Sequence, residues 1–68
     1  MKLIDKKTGR ELRIGDKALT SQYGTEVTIL GMSKPHKPSS TGRVFLELAD
    51  GTASEYYPAV INARWIED

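Results

Sequence analysis

Cysteine is absent from this chain of 68 residues, so neither disulfides nor thiolate metal sites can supplement its core, and nothing argues for an oxidising compartment. Histidine is almost as scarce. The single His36 lies between Pro35 and Lys37, with no serine, cysteine or acid at a spacing that would orient it as a base. A specific zinc site needs several converging ligands, so no metal and no cofactor is expected. Long apolar runs are missing too: Val27 to Met32 is broken by Thr28 and Gly31, and Val44 to Leu46 is stopped by Glu47. Both fall far short of the ~20 apolar residues that a membrane-crossing helix needs. Asp5-Lys6-Lys7 stands where the apolar region of a signal peptide would lie, so the mature chain is expected to start at Met1 and to work in the cytoplasm.

No charge of one sign prevails either. Ten Lys and Arg against nine Asp and Glu leave a formal net charge of +1, which argues against general charge-driven binding of nucleic acid, since that requires several phosphates neutralised at once. The charges are nevertheless unevenly placed. Residues 1–17 hold six bases and three acids, residues 33–43 three bases and no acid, and residues 44–68 one base and five acids. A local basic face is compatible with this layout. A single domain spanning residues 1–68 is expected, because so short a chain has room for one core and buries only ~60% of the surface it exposes when unfolded.

What is present reads as β structure. No stretch repeats apolar residues at helical spacing, whereas short segments are punctuated by glycine turns at Gly9, Gly15-Asp16 and Tyr23-Gly24. Glu26 to Leu30 is rich in β-branched residues and alternates, which places Val27 and Ile29 on one face of a central strand. Ser33 to Gly42 contains two prolines and many turn formers, so it cannot pair in a ladder and forms the one long loop.

Arg43 to Tyr57 is a hairpin around Ala49-Asp50-Gly51-Thr52, with Val44, Leu46 and Leu48 inward and Phe45 outward. A two-residue loop would set Leu46 opposite Glu55, and a three-residue loop with Gly51 in a bulge would set it opposite Ser54. In either register one of Tyr56 and Tyr57 shares the outer face with Phe45. Pro58 ends the strand, Ala59 to Asn62 suits one 3₁₀ turn, and Arg64-Trp65-Ile66 forms a last strand in which Trp65 is expected to plug the core. Five or six short antiparallel strands in so small a chain point to a closed or nearly closed barrel as the way to hide the edges.

A Gly-Asp turn, a long loop, an Asp-Gly hairpin and then Tyr57-Pro58-Ala59-Val60-Ile61 before a final strand resembles the SH3-like barrel superfamily over roughly residues 12–67. Gly15-Asp16 with Gly24 and Gly31 looks loosely like the turns of KOW-type barrels. Ser40-Thr41-Gly42-Arg43-Val44, Asp50-Gly51, Glu55-Tyr56-Tyr57-Pro58, Val60-Ile61 and Trp65 together are similar to small uncharacterised proteins of bacteriophages and prophages, which implies a phage accessory protein and no mechanism. The type II dihydrofolate reductases are also short SH3-like chains, with a Val-Gln-Ile-Tyr motif before a proline. Here that stretch reads Ser54-Glu55-Tyr56-Tyr57 before Pro58. Only the tyrosine matches, and a carboxylate in place of the amide would repel phosphate and glutamate groups, so an enzyme is the last of the readings.

The residues that remain point to binding. Lys34-Pro35-His36-Lys37-Pro38 has Pro-x-x-P spacing between bases, although prolines in a barrel loop also serve simply to stiffen it. Ser39 to Arg43 offers hydroxyls, a glycine amide and a guanidinium, the ingredients of a phosphate contact, without Walker-type lysine spacing. Exposed aromatics beside Arg43 suit a protein hot spot or base stacking. The expected site is therefore Lys34, His36, Lys37, Thr41, Arg43, Phe45 and Tyr56, in a non-catalytic module that engages a protein, a host factor or its own copy. A nucleic-acid binder using the same loop with Lys6, Lys7 and Arg10 is the alternative.

Overall fold

A computed structural model describes residues 1–67, and the alternation in the sequence emerges in it as seven short strands rather than five or six. They are β1 (Lys2–Asp5), β2 (Glu11–Leu12), β3 (Lys17–Leu19), β4 (Glu26–Ser33), β5 (Arg43–Glu47), β6 (Ala53–Tyr56) and β7 (Ala63–Ile66). A 3₁₀ turn, Pro58–Ile61, separates the last two. The strands form two antiparallel sheets, a three-stranded one in the order β2-β1-β7 and a four-stranded one in the order β3-β4-β5-β6.

Glycines and short polar side chains make the turns. Asp5 Oδ1 accepts the Lys7 N–H at 2.7 Å and Gly9 takes φ +74°, closing the first connection. Gly15 and Asp16 exchange backbone bonds with Ile29 on β4, at 2.7 Å and 2.9 Å. The hairpin between β5 and β6 adopts the three-residue alternative. Leu48 N–H donates to the Thr52 carbonyl at 2.8 Å, Gly51 sits at φ +86°, and Leu46 faces Ser54. Asn62 ends the 3₁₀ turn at φ +53°, a left-handed conformation that asparagine tolerates.

The apolar inner faces meet between the sheets. Leu3, Leu12 and Ala63 come from the three-stranded sheet, Val27, Ile29, Val44 and Leu46 from the other, and Ile61 enters from the 3₁₀ turn. Ile29, Val44 and Leu46 have no exposed surface at all, as the alternation of β4 and β5 requires.

Four expectations need correction. The two sheets are not joined by a continuous ladder among the described residues, so the architecture is two sheets, and no closed barrel is found. β4 runs on to Ser33, because a bulge at Leu30 re-aims the strand: Ile29 faces Leu46, and Gly31, two residues on, faces Phe45. Tyr56 faces Val44 and packs, half-buried, against the core, because the three-residue turn gives it the inward parity. Trp65 is a half-buried residue at the margin of the core, since its indole reaches sideways to the long loop and does not plug the interior.

Candidate binding groove

The loop between β4 and β5 is tied down at its C-terminal end. Trp65 Nε1 on β7 donates to the Thr41 carbonyl at 2.8 Å, and the Gly42 N–H donates to Ser40 Oγ at 3.1 Å. Gly42 is buried at φ +68°. A Cβ there would stand 2.5 Å from the Ser33 carbonyl oxygen and 2.7 Å from Trp65 Nε1, so the close approach of loop and indole requires glycine.

Between this anchored loop and the start of the 3₁₀ turn lies an open groove of about 580 Å³. Pro35 and Pro38 of the loop, Tyr57 and Pro58 of the turn, and Trp65 of β7 supply its apolar surface. Its charged lining side chains are those of Lys6, from the β1–β2 connection, Lys37 from the loop and Arg64 from β7, all exposed. No aspartate or glutamate is among the described residues that line it.

Tyr57 is 56% exposed, and Arg43 braces it from behind. The guanidinium carbon sits 4.1 Å from the ring centroid, and Arg43 Nη1 donates to the Gly42 carbonyl at 2.8 Å. Arg43 Nε also approaches Glu55 at 3.8 Å. Planar stacking of a guanidinium on an aromatic face fixes the ring at low entropy cost. Arg43 thus connects the loop's last residue to the groove wall.

The expected site residues fall into separate places. His36, Lys37 and Thr41 line the groove, whereas Lys34 is exposed on the loop and is not part of its lining. Phe45 does point outward, but on the outer face of the four-stranded sheet, where its ring covers Gly31 with Cδ2 at 3.5 Å from the position a Cβ would take. Leu19 and Leu30 are also exposed on strands of that sheet. Tyr56 lines a second cleft of about 620 Å³ with Leu48, Val60 and Tyr23, which holds Asp50 as its one charged group.

The sequence reading missed Tyr57, Trp65 and Arg64 as groove residues. The Tyr-Pro step that opens the 3₁₀ turn is a signal that could have singled out Tyr57. No local signal marks Arg64, because it joins Lys6 and Lys37 only through the pairing of the chain's two ends.

Two groups titrate away from their ordinary ranges, and neither lines the groove. The Asp50 carboxyl is held below the usual carboxylate range by Thr52, whose hydroxyl and N–H donate to it at 2.7 Å and 3.0 Å. The Arg13 guanidinium is raised by its hydrogen bond to Glu11 at 3.2 Å. Both are turn and surface contacts. Among the described residues no three of His, Cys, Asp and Glu come together as a metal-holding group, and no helix is long and apolar enough to cross a membrane. No known protein family, curated protein or solved structure matches the chain.

Proposed function

We propose that the chain is a non-catalytic binding module, SH3-like in its strand organisation with the two sheets not closed into a barrel, that engages a protein partner in the cytoplasm through the groove between the proline-containing loop and the Tyr57-Pro58 turn. The observation that carries this reading is the anchoring of the groove: the Trp65–Thr41 bond, Gly42 and the Arg43–Tyr57 stack hold its walls in place before any ligand arrives. Preorganisation of this kind lowers the ordering cost of association. A rigid, exposed tyrosine beside a buried proline and a half-buried tryptophan has the composition of a hot spot. The phage or prophage accessory role rests on the sequence resemblance and is part of the same proposal, with a host factor or a second copy as the kind of protein engaged.

A nucleic-acid role is the second reading, favoured by Lys6, Lys37 and Arg64 beside two aromatic rings. Capture of partners by the tagged chain, with and without nuclease, separates the two. The protein reading expects a nuclease-resistant partner whose recovery falls on Tyr57→Ala and persists on Phe45→Ala. Loss of every partner on nuclease treatment supports the second reading, and a partner lost on Phe45→Ala but kept on Tyr57→Ala moves the site to the outer sheet face.

A further inference from the structure

The occupant of the groove is constrained by its electrostatics. Its apolar surface comes from two loop prolines, Tyr57, Pro58 and Trp65, while Lys6, Lys37 and Arg64 supply positive charge and no carboxylate lines it among the described residues. The imbalance is local. Chain-wide, bases and acids nearly cancel at +1, and five acids fall in residues 44–68. Arg43 does not line the groove and is engaged by the Tyr57 ring and by Glu55. A positive rim around an apolar floor favours a ligand with the inverse layout, an apolar centre flanked by negative charge.

We infer that the groove takes a short, extended, acidic peptide segment with an apolar centre, an inference that rests on the protein-binding reading above and specifies its ligand. A peptide fits better than a nucleic-acid strand. Three cations around one groove of about 580 Å³ match a few carboxylates, whereas backbone tracking needs a basic path along several phosphates. The prolines and the 3₁₀ turn hold the groove walls, and an extended segment can lay its apolar side chains between Pro35 and Tyr57 while its carboxylates reach outward to Lys37 and Arg64.

Trp65 is the chain's one tryptophan and forms part of the groove, so its indole N–H resonance reports occupancy without a label. The full chain is titrated with three capped heptapeptides: Leu-Pro-Leu flanked on each side by two Glu, by two Gln, or by two Lys. The glutamate peptide is expected to shift the Trp65 resonance in a saturable way, and the glutamine peptide to bind roughly tenfold more weakly, the product of two rim ion pairs that contribute about two- to fivefold each. Raising the salt concentration should weaken only the glutamate peptide.

The double variant Lys37→Glu/Arg64→Glu alters two exposed side chains, and a cooperative thermal transition at the wild-type temperature verifies the fold. It should lose the glutamate peptide and gain the lysine peptide. Equal binding of all three peptides would overturn the acidic preference while leaving the groove as a peptide site. A Trp65 response to a single-stranded oligonucleotide and to none of the peptides would overturn it in favour of nucleic acid, and a response to protein concentration alone would place a second copy in the groove. If no probe shifts Trp65 but partner capture still depends on Tyr57, the ligand class is wrong and the binding module stands. If capture is also indifferent to Tyr57, the groove itself is not the site.

Discussion

Gly42 carries two constraints at once, a left-handed backbone and neighbours closer than a side-chain carbon can approach. Gly42→Ala meets about 1–2 kcal/mol of backbone strain and must also displace the Trp65 indole. The expected outcome is a melting temperature lowered by more than the about 4–16 °C that strain alone costs, together with a red shift of Trp65 emission as the loop detaches. Gly9→Ala is the matched control, since Gly9 shares the positive φ but has nothing within 4 Å of the added atom. It should lower stability through backbone strain alone and leave the emission unchanged. At Trp65, exchange for phenylalanine keeps most of the bulk and removes the bond to Thr41. Trp65→Phe should cost about 0.5–1.5 kcal/mol in a thermal or denaturant melt, the ordinary net contribution of one hydrogen bond. Loss of the whole cooperative transition would show instead that the indole is a core plug after all.

Strand β5 separates core from surface by parity. Val44 is wholly buried and Phe45 is 38% exposed. Val44→Ala removes two buried methyl groups' worth of packing and leaves a void, so it should destabilise by about 2 kcal/mol. Phe45→Ala uncovers Gly31 yet leaves the core intact, and should stay within about 1 kcal/mol. Comparing the two melting temperatures checks the facing of the strand directly. The turn that follows β5 makes a pH-dependent contribution. Because Thr52 lowers the Asp50 pKa in the folded state, the turn's stabilisation is present above the usual carboxylate range and is lost as pH falls through the lowered folded value. The gap in melting temperature between the wild type and Asp50→Ala should therefore be widest near neutrality and narrow on acidification. A gap that does not change with pH would assign the turn's stability to its backbone.

At the scale of the molecule, what was legible in the sequence was what period-two alternation and turn glycines encode. Val27, Ile29, Val44 and Leu46 were readable as core and Phe45 as outward. So were the proline-containing loop up to Gly42, apart from Ser33, which belongs to β4, and a 3₁₀ turn, expected over Ala59 to Asn62 and found one residue earlier at Pro58–Ile61, because each depends on residues a few positions apart. The tyrosines were not readable, since one residue of turn length decides whether Tyr56 or Tyr57 faces out. The environment of Trp65 was hidden for a different reason: its partner Thr41 lies 24 residues away, beyond any local pattern. Lys6 and Arg64 come together only because β1 pairs with β7, with Asp5 opposite Ala63. Barrel closure was over-read from strand count, since edges can also be shortened or capped by turns, as Gly15-Asp16 does on β4.

The central claim is that the anchored groove, and not the outer sheet face, is where a partner sits. Backbone and indole resonance mapping of the isotope-labelled chain with its captured, nuclease-resistant partner tests this most directly. The account predicts shifts that cluster on residues 35–41, on Tyr57 to Ala59 and on Arg64 and Trp65, with Leu19, Leu30 and Phe45 undisturbed. Shifts centred on Phe45 and Leu30, with the Trp65 indole unmoved, would contradict it.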